Sequence, residues 1–211
     1  MRQNNSKMNI TDNMQWATVL SVHDGDSIRV AVQFKDETGK ELVSKFALRI
    51  AQIDAPEVYA PGYSTDQPFG KEAGQYLRSL VKGKKVAIQK VFKRDAWDRR
   101  VSFVIVSGKD DEEYGLDVAS EMVHNGWAWA GLGAGSSVAL QSLRVLQESA
   151  KAQKVGLWAG ENPIRPSVWR RITTQRNANK SRPGSKWPVD FAKEETITKE
   201  EFDSQYGEQH D

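Results

Sequence analysis

Residues 16–50 read WATVLSVHDGDSIRVAVQFKDETGKELVSKFALRI, three short runs rich in β-branched residues separated by turn chemistry. Trp16 to Val22 and Ile28 to Phe34 flank His23-Asp24-Gly25-Asp26-Ser27, and an Asp-Gly turn between two apolar runs predicts a β-hairpin. Ile28, Val30 and Val32 alternate, as residues on one face of a strand do. A second hairpin is predicted to turn at Lys35 to Lys40 and return as Leu42 to Ile50. Lys85 to Phe92 and Val101 to Val106 have the same character, which gives five predicted strands.

Helical periods fall between and after these runs. Phe69, Ala73, Tyr76, Leu77, Leu80 and Val81 form the stripe of a helix laid on a core. A second helix is predicted over Asp117 to Asn125, closed by Gly126. A third spans Ser137 to Lys154, with Leu140, Leu143, Val145, Leu146 and Ala150 as its expected inner face. Strands come mostly first and helices afterwards, so the pattern predicts an α+β domain with a small sheet or barrel rather than a doubly wound sheet.

Composition narrows the function classes. The 211 residues are 38% hydrophobic with seven Trp and seven Phe, enough for one packed domain but short for two. With no cysteine there is no disulfide framework, thiolate zinc site or cysteine nucleophile. Residues 1–15 are polar and lack the apolar run of roughly 7–15 residues at the heart of a signal peptide. Nowhere do about 20 apolar residues run together as a membrane span needs, so a soluble, cytoplasmic protein with no membrane partner is expected. The net charge of +2 conceals a reversal. Residues 163–186 hold seven Arg and Lys and no acid, whereas residues 187–211 hold two lysines against eight acids. A polar extension (1–15), a domain (16–171) and a basic-then-acidic extension (172–211) are the expected units, the last a solvated, mobile end. Contact of the acidic tail with a protein partner, or with the basic segment as an autoinhibitory device, is the alternative.

The richest chemistry lies in Arg49-Ile50-Ala51-Gln52-Ile53-Asp54-Ala55-Pro56-Glu57, together with Asp26 in the first hairpin turn. An arginine sits on a strand and carboxylates follow just past its end. Pro56 biases Ala55 toward an extended backbone, which could turn the Ala55 carbonyl to a cation. Two aspartates, a carbonyl and waters are hard oxygen donors suited to Ca²⁺ or Mg²⁺. The three histidines, His23, His124 and His210, are scattered singly and offer no zinc set. Each piece taken alone also reads as an ordinary turn or loop. Gly131 to Gly135 has neither the spacing nor the βαβ context of a dinucleotide fingerprint.

Taken together, six blocks resemble the staphylococcal nuclease (thermonuclease) family. They are Asp24-Gly25-Asp26-Ser27, Leu48-Arg49-Ile50 leading to Ile53-Asp54-Ala55-Pro56-Glu57, Phe69-Gly70-Lys71-Glu72-Ala73, Asp95-Ala96-Trp97-Asp98-Arg99, Val123-His124-Asn125-Gly126-Trp127-Ala128 and Lys154-Val155-Gly156-Leu157-Trp158. The resemblance covers about residues 16–171. It implies a five-stranded OB-fold-type barrel with three α-helices, in agreement with the count above. It makes Asp26, Asp54 and the Ala55 carbonyl calcium ligands. Glu57 becomes the carboxylate that orients or deprotonates water, and Arg49 and Arg99 the pair that grips the scissile phosphate. Trp97 takes the place of an aromatic residue that contacts nucleotide. The activity implied is Ca²⁺-dependent, sugar-nonspecific endonucleolytic hydrolysis of DNA and RNA to 3′-phosphoryl and 5′-hydroxyl ends. The rival expectation is a non-catalytic OB-type nucleic-acid- or protein-binding module within a larger assembly.

Two departures from the family pattern stand out. Asp98 replaces the glycine that commonly precedes the second arginine, which puts a carboxylate beside Arg99 that could partly neutralise it. Leu132 and Ala134 replace two nucleotide-stacking tyrosines, a loss of roughly 1–3 kcal/mol per stacked base. Trp127 and Trp129 alternate and read as core residues.

Overall fold

The computed structural model describes residues 7–59, 65–90, 93–107, 114–131, 138–178, 191 and 193–207. Its strands are β1 (Lys7–Asn9), β2 (Met14–Asp24), β3 (Ser27–Lys35), β4 (Glu41–Ile50), β5 (Ile53–Asp54), β6 (Lys85–Gln89), β7 (Lys93–Arg94), β8 (Arg100–Ser102), β9 (Val104–Ser107), β10 (Tyr114–Asp117), β11 (Trp129–Ala130) and β12 (Glu195–Thr198). Helices are α1 (Gly70–Val81), α2 (Val118–His124), α3 (Val138–Gln153), α4 (Pro166–Ala178) and α5 (Lys199–Tyr206), with a 3-10 turn over Gly156–Ala159. The architecture is mixed α+β, a ten-stranded sheet and a two-stranded ladder with five helices among the described residues.

The antiparallel meander β2-β3-β4 is its spine, with Val22 opposite Ile28 and Val30 opposite Phe46. Ala17 and Val19 point inward at the strand period, and a register shift between Val19 and Ser21 keeps Val22 inward as well. The run predicted over 101–106 is broken at Phe103. Before the break β8 pairs parallel with β4, and after it β9 pairs antiparallel with β6, which in turn pairs with β2. The buried cluster between these strands and α1, α2 and α3 includes Ile28, Phe46, Leu48, Ile50, Leu77, Ile88, Met122 and Leu143.

The three predicted helices are present as α1, α2 and α3. Asp117 caps α2 by accepting from the Ser120 amide at 3.1 Å. Gly126 follows at φ 73°, where a Cβ would lie 2.2 Å from the Val155 carbonyl oxygen, so both conformation and space require glycine. On α3 the expected inner face needs a correction. Leu140, Leu143 and Ala150 are buried, but Val145 is 70% exposed and Gln147 takes the inward position. The steps 140, 143, 147, 150 follow the helical period and 145 does not. Gln147 meets the burial of its amide by accepting from the Ala130 N–H at 3.0 Å.

A five-stranded, three-helix count understates the described chain. Within the polar N-terminal extension, β1 pairs with β10 and Met14 and Gln15 belong to β2. Where charge suggested a solvated tail, β12 pairs with β4, placing Glu195 opposite Lys45 and Thr198 opposite Leu42. Thr198 and Glu201 form a capping box that starts α5. Phe202, only 5% exposed, joins Ala31 and Val43 in a small cluster on the sheet. The tail's acids find the sheet's cations: Glu195 lies 2.9 Å from Lys45 and 3.3 Å from Arg29, and Glu194 pairs with Arg94 and Arg100. No described helix is long and apolar enough to cross a membrane.

Candidate active site

The chain concentrates charge where the β2-β3 turn meets the end of β4. Gly25 makes that meeting close, since a Cβ there would lie 2.6 Å from the Ala55 Cβ and 2.8 Å from the Ala73 Cβ. The turn therefore rests on α1 and on the segment after β5. Asp26, 5% exposed, uses this proximity to accept from the Ala55 N–H at 2.7 Å through Oδ2 and from the Ser27 hydroxyl at 3.0 Å through Oδ1. Ser27 stands opposite Arg49 in the β3-β4 register. Arg49 reaches Asp26 Oδ2 through Nη1 at 2.7 Å and Asp54 Oδ1 through Nη2 at 3.0 Å.

Asp54 is held in place by pairing of β5 with β11, where Trp129 is its partner. Trp129 is buried against Trp158, ring centroids 4.3 Å apart, the core role expected of it. Trp127 packs against the main core beside Tyr76. Glu57 is gripped by Gln67, whose backbone N–H donates to the Glu57 carbonyl at 2.9 Å and whose Oε1 accepts from the Glu57 N–H at 3.2 Å. Its carboxylate accepts from Arg170 of α4 at 2.5 Å, and the same Nη1 donates to Asp54 Oδ1 at 3.1 Å.

Arg99 enters from the β7-β8 turn with its side chain 3% exposed. Nε and Nη2 hold Asp95 Oδ2 at 2.8 and 2.7 Å, and Nη1 donates to the Ser27 hydroxyl at 2.7 Å. A continuous polar chain thus runs Arg99, Ser27, Asp26, Arg49, Asp54, Arg170, Glu57. Trp97, 45% exposed, lies with its ring centroid 5.4 Å from the Arg99 guanidinium. All five charged residues singled out in the sequence are brought together. Ser27, Asp95 and Arg170 complete the chain and were not singled out. Ser27 and Asp95 lie inside blocks already quoted, while Arg170 stood unmarked in a basic run.

Electrostatics follow from this crowding. Burial, then the neighbouring Asp26 charge, pushes the Asp54 carboxyl above its usual range, with Arg49 and Arg170 pulling the other way. Burial opposes the charge on Arg49, but Asp26, Asp54, Asp24 and Glu57 outweigh it and hold the guanidinium protonated. Arg170 is likewise held charged: burial opposes it, and Asp54 and Glu57 prevail. For a cation, Asp26, Asp54 and the Ala55 carbonyl supply only hard oxygens, a donor chemistry that fits Ca²⁺. Guanidinium groups now occupy those carboxylates, and no three His, Asp or Glu among the described residues are placed to enclose a metal.

Residues 47–160 match the family described as staphylococcal nuclease homologue, more than half of the chain. The chain belongs to the staphylococcal nuclease family. Among relatives, an uncharacterized endonuclease of Escherichia coli O157:H7 is 32% identical over 152 residues, covering 72% of this chain and 82% of that protein. An uncharacterized endonuclease of Haemophilus influenzae is 32% identical over 154 residues, covering 72% and 71%. A staphylococcal-like nuclease of Arabidopsis thaliana, CAN1, is 30% identical over 140 residues, covering 66% of this chain and 37% of that protein. The chain spans about a third of the length of the plant relatives it matches.

Among the departures, Asp98 behaves differently from the expectation. Its side chain is 76% exposed and pairs with Arg94 at 3.1 Å, while Arg99 takes Asp95 instead. Asp98 adopts φ 62°, a left-handed conformation that glycine enters without strain. Asp98→Gly is therefore expected to raise the melting temperature by a few degrees, on the order of 1 kcal/mol. Thermal unfolding followed by circular dichroism checks this, and a fall in Tm contradicts it. Leu132 and Ala134 lie outside the described residues.

Proposed function

We propose that this nuclease-family chain is a Ca²⁺-dependent, sugar-nonspecific endonuclease that hydrolyses DNA and RNA to 3′-phosphoryl and 5′-hydroxyl ends. The observation that carries the reading is the bridging of Asp26 and Asp54 by Arg49, with Glu57 one guanidinium away. In fold terms, we read strands β2, β3, β4, β6 and the β8-β9 pair as an OB-type barrel that returns on itself across Phe103. The endonuclease names of the bacterial relatives support the substrate class.

In this reading Asp26, Asp54 and the Ala55 carbonyl hold the cation, which when bound lowers the pKa of water and offsets phosphate charge. Glu57 receives or orients the proton of the attacking water. Arg49 and Arg99 face the phosphate oxygens, where negative charge grows as the P–O5′ bond breaks, and their forks stabilise that growth more than the ground state. Arginine suits this role because its planar donors bond two oxygens and stay charged. Ser27 and Asp95 fix the direction of the Arg99 fork.

The test is incubation of the full chain with plasmid DNA and with RNA, in Ca²⁺ and in EDTA. Cleavage of both in Ca²⁺ and none in EDTA is the expected result. Binding of a single strand without turnover would overturn the reading in favour of the non-catalytic module.

A further inference from the structure

Helix α4 presents a third arginine to the carboxylates, and its seating is specific. Tyr59 and Thr173 hydroxyls meet at 3.0 Å, which ties the middle of α4 to the segment after Glu57. Gln67, already gripping the Glu57 backbone, donates through Nε2 to the Ile164 carbonyl at 2.6 Å just before the helix. Arg165 lies with its guanidinium 4.5 Å from the centre of the Trp129 ring, the residue paired with Asp54. These anchors deliver Arg170 as a fork onto Asp54, at 3.1 and 3.3 Å, with Nη1 shared by Glu57.

The oxygens show what this seat means. Asp54 Oδ1 already accepts from both Arg49 and Arg170, and the two Arg170 Nη groups together hold both Asp54 oxygens and Glu57 Oε1. With Asp54 and Glu57 only 8% and 3% exposed, a cation that takes these oxygens must displace the guanidinium donors.

We infer that Arg170 is the intramolecular competitor of the divalent cation, so that α4 must release its guanidinium from Asp54 and Glu57 for the site to load. This rests on the metal-dependent reading above. Binding to the released form alone weakens apparent affinity by the fraction of chains in that form. Arg170 is thus a residue that sets cation affinity, a role that the family resemblance does not assign to any position.

Isothermal titration of Ca²⁺ alone into the full chain tests this. Arg170→Gln is expected to lower the Ca²⁺ Kd about tenfold, a coupling typical of such linked equilibria. Thr173→Val removes the Tyr59 contact while keeping every charge, and should lower the Kd about threefold, as the loss of one hydrogen bond permits. It also covers the case in which Arg170→Gln folds poorly. A residue that merely stapled α4 would leave the Kd unchanged or raise it on substitution, so either result in both variants overturns the proposal. Absence of Ca²⁺ binding in the wild type and in both variants would instead remove the metal-dependent reading, and this inference with it.

Discussion

Glu57→Gln is expected to reduce cleavage of both DNA and RNA by about two to four orders of magnitude, the usual contribution of a positioned proton acceptor. The substitution keeps the shape of the side chain and removes its ability to take a proton. The backbone of residue 57 should stay in place, because both of its hydrogen bonds are made to Gln67 by main-chain atoms. Arg170 keeps its fork on Asp54 at 3.1 and 3.3 Å and retains a charged partner. Loss of activity should therefore come with a circular dichroism spectrum like that of the wild type. Initial rates on supercoiled plasmid in Ca²⁺ provide the measurement. A variant within about fivefold of the wild type would show that Glu57 is not the proton acceptor or water-orienting group.

How far the site could be read from the chain depended on the range of the signal. Strands β2, β3 and β4 were legible because Ile28, Val30 and Val32 alternate and an Asp-Gly turn separates the runs. Helix α1 was legible because Ala73, Leu77 and Val81 repeat at four residues. The five charged site residues were legible because each sits inside a short block tied to a turn or a strand end. Arg170 was not, since 113 residues separate it from Glu57 and only the docking of α4 brings them together. Its charge was visible, its partner was not. The tail illustrates the same limit. Glu194 and Glu195 resemble any solvated acids until the fold brings Arg29, Lys45, Arg94 and Arg100, from the adjoining strands β3, β4, β7 and β8, beside them. The Thr198-x-x-Glu201 box was a local signal for α5, hidden by the acidic run around it. Strands of two residues, such as β5 and β11, carry no period at all and exist because Asp54 and Trp129 are already neighbours.

Arg49→Met should damage the protein twice, by separable routes. Arg49 is the group between Asp26 and Asp54, at 2.7 and 3.0 Å, with its side chain only 16% exposed. Removing it strips Asp26 of its guanidinium donor and leaves Asp54 with Arg170, and breaking a buried pair by removing one partner typically costs about 3–5 kcal/mol. In EDTA the melting temperature is expected to fall by roughly 10 °C for a chain of this size. Added Ca²⁺ should raise the variant's Tm more than the wild type's, because a cation then supplies charge that Arg49 no longer does. The pH dependence carries its own sign. Asp54 is already shifted upward by burial and by Asp26, and without Arg49 it should shift further. A carboxyl whose folded pKa exceeds its unfolded value costs stability as pH rises through the folded pKa and costs nothing once both states are protonated. The deficit in EDTA should therefore shrink as pH falls toward the ordinary carboxylate range, where loss of an ordinary exposed arginine would leave it unchanged. Activity should fall about 10²- to 10³-fold even at saturating Ca²⁺, because restoring charge balance does not restore a fork aimed at the phosphate. Recovery of full turnover along with full stability would mean that Arg49 only holds the carboxylates together and does not touch the scissile phosphate.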